Sequence, residues 1–338
     1  MTMKGPKVRE AILPLFPGLR WLAIAFVLIL AASIPFLVAL PAAAQSVSIS
    51  ASSGVPGAEV TISGTGFTNG DTYQITFAPG TAYEELLAPS TIISGTTFSE
   101  VVPVPHAPGG QYSIRVGTNR GNFTLPFTIT PVLELNTNTG SVGDVLLASG
   151  AGYRASRAVN IYFNNSIITN SSSNSFGILN PVSFQVPSIR TGNFNVYATD
   201  GVVASPVIVF TVRPLLTASL SAGSVGDQVK LDGTGFDDNS GIRIYWDSQL
   251  LSSSGIFTNA AGTFTANIIV PATARGNHTI QARDNASGTS SVNFIVNPEV
   301  VLNPTGGATG TSIAVTGTGF RVNAAIRMAY EGTAIVTQ

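Results

Sequence analysis

Four segments of the chain carry one phrase. GVPGAEVTISGTGF, GSVGDVLLASGAGY, GSVGDQVKLDGTGF and GATGTSIAVTGTGF each read G-x-x-G, six residues, then G-x-G-aromatic. The closing pairs are Gly64 and Gly66, Gly150 and Gly152, Gly233 and Gly235, and Gly317 and Gly319, followed by Phe67, Tyr153, Phe236 and Phe320. The second glycines stand 86, 83 and 84 residues apart. A fixed period of this kind means one supersecondary unit laid down again and again, so the fold must be one that fits a single period.

The second half of the period recurs too. VPHAPGGQYSIRV, VPSIRTGNFNVYA and VPATARGNHTIQA place Pro105, Pro187 and Pro271 five residues before Gly110, Gly192 and Gly276. Each period closes on an alternating apolar run, FTLPFTIT, VIVFTV or VNFIVN, and Pro131, Pro214 or Pro298 opens the next with no spacer. The expected organisation is therefore an N-terminal segment at 1–44, repeats at 45–130, 131–213 and 214–297, and a broken repeat at 298–338. In that last repeat IRMAYEG aligns with IRIYWDS, which leaves about three strands before Gln338 and predicts a truncated frame or a longer protein.

The local period is two. VTISG and VKLDG alternate apolar and polar residues, and YQITF, VNIYF and IRIYW follow, rich in β-branched and aromatic residues. Turn residues interrupt every 8–12 residues or so, and no long amphipathic helical stretch follows the N-terminal segment. Short strands in periods of about 84 residues predict an all-β chain of tandem immunoglobulin-like β-sandwich repeats behind a signal or transmembrane helix.

The motif G-x-x-G-x-x-V-x-[ILV]-x-G-x-G-F, then V-P-x5-G and a final F-x-V, resembles the IPT/TIG family of immunoglobulin-like domains over residues 46–338. It departs from the pattern at Tyr153 and at the first-repeat insertion APGTAYEELLAPS. The resemblance implies spacers, adhesion modules or accessory modules of exported enzymes, and no catalytic residues.

The glycine pair also invites a nucleotide-binding reading. A dinucleotide site needs G-x-G-x-x-G between a strand and a helix, so that helix N-terminal amides meet the pyrophosphate. GTGFTNG has the wrong third spacing, no helical pattern follows, and four copies would imply four cofactors. The pair is read instead as scaffold: glycines at a bend or close approach, aromatics plugging the sandwich end. No cofactor is expected.

Composition narrows function. Charged residues are 10% of the chain, against about 25% in typical soluble proteins. The formal net charge of −1 offers no electrostatic footprint for nucleic acid. There is no cysteine, so neither disulfides nor thiolate metal sites exist, and His106 and His278 lie in different segments.

Lys4, Lys7, Arg9 and Arg20 precede an uncharged run from Trp21 to Leu40, and then Pro41 and Ala42-Ala43-Ala44. The small residues fit signal cleavage after Ala44. The run at 21–40 is also long enough to stay as a membrane anchor. Both readings export everything after Gln45, as a secreted or a cell-surface protein.

Positions unique to one repeat are the better candidates for a site. Asp237 and Asp238, in DDNSG, offer clustered oxygens for calcium, or a plain polar turn. Tyr245 and Trp246 offer rings for a glycan, although neighbours in a strand face opposite ways, so one ring belongs to the core. Glu84 and Glu85 are adjacent carboxylates in a loop, whereas glycosidase chemistry needs two across a cleft. Neither G-x-S-x-G nor H-E-x-x-H occurs. The expectation is a non-enzymatic spacer or adhesion protein with an extracellular protein or glycan as partner. The alternative is an accessory, carbohydrate-directed region of a secreted enzyme.

Overall fold

The computed structural model describes residues 44–337. The anchor or signal readings of the segment before Ala44, including the run at 21–40, lie outside the described residues. Among the described residues there is no helix, and so none long and apolar enough to cross a membrane.

The first repeat has eight strands: β1 (Ser46–Ile49), β2 (Ser53–Gly54), β3 (Glu59–Thr65), β4 (Thr72–Phe77), β5 (Glu85–Ile92), β6 (Thr97–Pro103), β7 (Gly110–Thr118) and β8 (Gly121–Ile129). They form a three-stranded sheet, β1-β3-β6, and a five-stranded sheet, β2-β8-β7-β4-β5. Alternation builds the inner faces: in β3, Val60, Ile62 and Gly64 are buried while Glu59 is exposed. The core between the sheets holds Ile62, Ile75, Phe77, Ile114, Val116 and Phe127.

The second repeat repeats the plan with β9 (Val132–Leu135), β10 (Thr139–Gly140), β11 (Val145–Ala151), β12 (Ala158–Phe163), β13 (Ser166–Ser172), β14 (Leu179–Gln185), β15 (Gly192–Thr199) and β16 (Ile208–Val212). So does the third, with β17 (Leu215–Ala218), β18 (Ala222–Gly223), β19 (Gln228–Thr234), β20 (Arg243–Trp246), β21 (Gln249–Ser252), β22 (Phe264–Ile269), β23 (Gly276–Arg283) and β24 (Thr289–Val296). Their sheets are β14-β11-β9 with β10-β16-β15-β12-β13, and β17-β19-β22 with β18-β24-β23-β20-β21. Each repeat encloses its own hydrophobic core. The chain is thus an all-β series of immunoglobulin-like sandwiches.

The recurring phrases have mechanical meanings. G-x-x-G carries the chain from one sheet to the other. Its first glycine joins a short strand, β2, β10 or β18, that pairs parallel to the repeat's last strand. That glycine lies against the tip of Phe127, Phe210 or Phe294, all fully buried. The turn is pinned by the valine of Val-Pro: the N–H groups of Gly57, Gly143 and Gly226 donate to the carbonyls of Val104, Val186 and Val270.

Residues 299–337 form two hairpins, β25 (Glu299–Asn303) with β26 (Ala314–Thr318) and β27 (Arg327–Tyr330) with β28 (Thr333–Thr337). That is four strands, one more than the sequence alignment counts. Val300, Leu302, Val315 and Tyr330 are exposed there.

Candidate functional site at the joints between repeats

In G-x-G-aromatic the two glycines do different things. The first makes room: the Phe98 ring lies over Gly64 and the Phe264 ring over Gly233, where any Cβ would collide. The second turns the chain, with φ of +78° at Gly66, +76° at Gly152, +67° at Gly235 and +70° at Gly319. L-residues with a Cβ disfavour that region by about 1–2 kcal/mol. Gly152 also packs against the Thr130 carbonyl and Pro131, and Gly235 against the Arg213 carbonyl, which are the links from the preceding repeat.

The aromatic then serves two purposes. Its ring enters its own core: Phe67 is 3% exposed, and Tyr153 and Phe236 are fully buried. Phe320 is half-buried, because the strands that close the other three cores have no counterpart among the described residues. Its backbone faces the neighbour. The Gly109 N–H, in the first repeat's Val-Pro loop, donates to the Tyr153 carbonyl at 2.9 Å. The Thr191 N–H, in the second repeat's loop, donates to the Phe236 carbonyl at 3.1 Å.

A third element completes each joint. The Tyr153 N–H donates to the Gly177 carbonyl and the Phe236 N–H to the Gly262 carbonyl. A Cβ on Gly177 would overlap the Tyr153 carbonyl oxygen and stand 2.8 Å from the Pro108 Cα. One on Gly262 would overlap the Phe236 carbonyl oxygen and stand 3.0 Å from the Arg190 Cα. These glycines end Asn-x-x-Gly turns. The Asn174 side-chain oxygen Oδ1 accepts from the N–H groups of Phe176 and Ile178, and that of Asn259 from Ala261 and Thr263. In the first repeat, which follows the N-terminal segment rather than another repeat, the equivalent acceptor is Thr96. Sequence reading missed this turn. Its signal was Asn-x-x-Gly at Asn174 and Asn259, one period apart.

Side chains brace both joints. Arg190 reaches from the second repeat to Asp238 at 3.5 Å and Asp237 at 3.9 Å in the third. The candidate calcium residues thus face a guanidinium. Asp237 also lends its carbonyl to the Thr258 hydroxyl. At the first joint, Tyr83 from the insertion donates its hydroxyl to the Ser175 carbonyl at 3.2 Å and meets the Phe176 ring edge-on.

Buried aspartates hold the residue that follows the joint aromatic. Asp200 accepts from the N–H of Arg154 and from those of Val202 and Val203. Asp284 accepts from the N–H groups of Asp237, Ala286 and Gly288. Burial pushes the Asp200 carboxyl up, but the hydrogen bonds from Val203, Arg154 and Val202 outweigh it and hold the group below its ordinary value. In the first repeat Asp71 accepts from the Thr68 N–H, and Arg120, that N–H and Asn119 hold its carboxyl low against burial.

The remaining candidates are scattered. Trp246 is 5% exposed, edge-on to Phe294 and stacked on His278, and its indole N–H has no partner among the described residues. Tyr245 points outward beneath the Arg283 guanidinium, 4.5 Å away. His278 stands between the Asp247 carboxylate and the Ala274 carbonyl, and His106 is exposed. Glu84 accepts from the Gly80 N–H, while Glu85 faces solvent. Among the described residues no three His, Asp or Glu side chains gather as metal ligands.

The IPT/TIG domain family model matches residues 44–130. No curated protein matches the chain. Among solved structures, the Yersinia pseudotuberculosis adhesin InvE is similar at 11% identity and a TM-score of 0.24, over 49% of this chain and 58% of that one. The Bacteroides ovatus mixed-linkage glucan utilization locus protein SGBP-B, solved with a mixed-linkage heptasaccharide, is similar at 12% identity and a TM-score of 0.29, over 73% and 65%. A tetra-tandem repeat from the extending region of a large adhesion protein is similar at 14% identity and a TM-score of 0.25, over 81% of each. The chain therefore spans less than two thirds of the first two structures it resembles. Over residues 44–130 its first repeat is similar to the IPT/TIG family of immunoglobulin-like domains.

Proposed function

We propose that the chain is an exported structural stalk that carries an adhesive or spacing surface outward and does no chemistry of its own. Its repeats run over 45–130, 131–213 and 214–297, with the start of another at 298–338. Export rests on the basic end, the apolar run at 21–40 and the small residues before Gln45. The observation that carries the reading is the joint itself. The same three elements meet between the first and second repeats and again between the second and third. A flexible linker would need none of them. A stiff series needs each repeat to present a donor loop behind and an acceptor turn in front. A partner, protein or glycan, would meet exposed strand faces or sandwich-end loops.

Strands of up to nine residues at about 3.3 Å each make a sandwich roughly 30 Å long, so three joined end to end reach on the order of 100 Å. Small-angle scattering of residues 45–338 tests this. The reading expects a maximum dimension of about 100 Å. A radius of gyration near the ~19 Å of a compact globule of this length contradicts it.

A further inference from the structure

Repeats that share a scaffold show where one of them departs from it. In β19 of the third repeat, Asp232 stands where the first and second repeats carry Ser63 and Ser149. Lys230 stands where they carry Thr61 and Leu147. Phe257, two residues before the joint asparagine, stands where the second repeat has Ser172. Asp232 and Phe257 meet at one place. With Thr234, Asn259, Thr263 and Thr265 they line a cleft of about 480 Å³. That lies within the ~300–1,000 Å³ of small-molecule sites.

The lining selects a ligand by its chemistry. Phe257 is 67% exposed, an aromatic face left open to solvent beside polar groups. Asp232 accepts from the Thr265 hydroxyl at 2.6 Å and from Lys230 at 2.8 Å. Lys230, and then Thr265, keep its carboxyl below the ordinary value, so it is an acceptor at neutral pH. A carboxylate has about four lone-pair sites, so capacity remains for incoming hydroxyls. Asn259 commits its carbonyl oxygen to the turn and leaves its amide N–H₂ as a donor. Lys230 offsets Asp232 and no other lining side chain is charged, so the cleft favours neither cations nor anions. Its complement is neutral, rich in hydroxyls, and apolar on one face.

We propose that this cleft binds a neutral saccharide, with one pyranose face on Phe257 and ring hydroxyls on Asp232, the Asn259 amide and the Thr263 and Thr265 hydroxyls. The assignment is independent of the stalk reading, since a spacer needs no such cleft and a cleft needs no stiff joint.

The test is calorimetric titration of the purified chain with maltohexaose, cellohexaose and chitohexaose, backed by saturation-transfer NMR. At least one hexasaccharide binds with a Kd below about 1 mM, a free energy of roughly −4 kcal/mol. Phe257→Ala weakens it about tenfold or more, and Asp232→Ala does likewise. Tyr330→Ala removes an exposed ring outside the joints and the cleft and leaves binding unchanged. A thermal melt confirms that Phe257→Ala is folded, as its exposure demands. Failure of all three sugars to bind, or a Phe257→Ala chain that binds as tightly as the parent, overturns the proposal.

Discussion

The backbone N–H of Thr191 donates to the carbonyl oxygen of Phe236 across 3.1 Å, from the second repeat into the third. The ring of that same phenylalanine is fully buried in the third repeat's core. One residue therefore ties the packing of a sandwich to the placement of its neighbour. Gly109 and Tyr153 repeat the relationship one period earlier, at 2.9 Å. Anything that loosens the ring also moves the acceptor.

The joint glycines are the first test. Gly262 has φ of +68°, and a Cβ there meets the Phe236 carbonyl and the Arg190 backbone. Gly95 has φ of +91° with open space around it. Gly95→Ala carries only the backbone strain, about 1–2 kcal/mol. Gly262→Ala carries that and a displaced joint, roughly 1–3 kcal/mol more. Calorimetry should show the third repeat melting well below its parent temperature in Gly262→Ala. Equal shifts in the two variants would show that the close approach does not matter.

Arg190 should matter little to stability. Its side chain and those of Asp237 and Asp238 are 49%, 31% and 42% exposed. Solvent and salt screen such pairs to about 0.2–1 kcal/mol. Arg190→Ala should lower melting by less than about 4 °C. The small loss should fade further above ~0.5 M salt. A larger, salt-insensitive loss would mean that the arginine stem, not its charge, holds the joint.

Acid should weaken the second repeat through Asp200. Its folded pKa lies below the ordinary aspartate value. The stabilisation is therefore fully present above the unfolded value and is lost as pH falls through the folded one. Melting of the second repeat should be flat from about pH 7 to pH 5 and drop below about pH 4. Asp200→Asn should cost roughly 1–3 kcal/mol at neutral pH and blunt the acid drop. An unchanged acid profile in Asp200→Asn would assign the drop to other carboxylates.

Much of the sandwich was legible because its signals are local. Alternation in VTISG and VKLDG sets which side chains face in. The joint was not legible, because its partners are far apart in the chain. Gly109 meets Tyr153, and Thr191 meets Phe236, and nothing local in the sequence links the Val-Pro loop to the glycine pair. Asp237 and Asp238 offered calcium beside a plain polar turn because Arg190, their counter-charge, lies in another repeat. Alternation showed that one ring of Tyr245-Trp246 belongs to the core, and packing against Phe294 and His278 makes it Trp246. Asn-x-x-Gly shows nothing of its role locally, since only the repeat stacked in front of it makes its glycine necessary.

The two C-terminal hairpins should open readily. Val300, Val301, Ile313 and Val322 are exposed, and protection from exchange follows buried apolar contact. Hydrogen exchange on the chain should show amides of 299–337 exchanging orders of magnitude faster than those of β3, β11 and β19. Comparable protection would mean that something covers these hairpins in solution.

The central claim is that neighbouring repeats are held in one fixed relation. The chain has no cysteine, so an introduced pair can be labelled cleanly. Asn195→Cys in the second repeat and Asn293→Cys in the third put exposed spin labels on either side of the joint. Pulsed electron–electron resonance should give one narrow distance distribution, and adding Gly262→Val should broaden it. A broad distribution in the parent, or one that Gly262→Val leaves unchanged, would contradict the account.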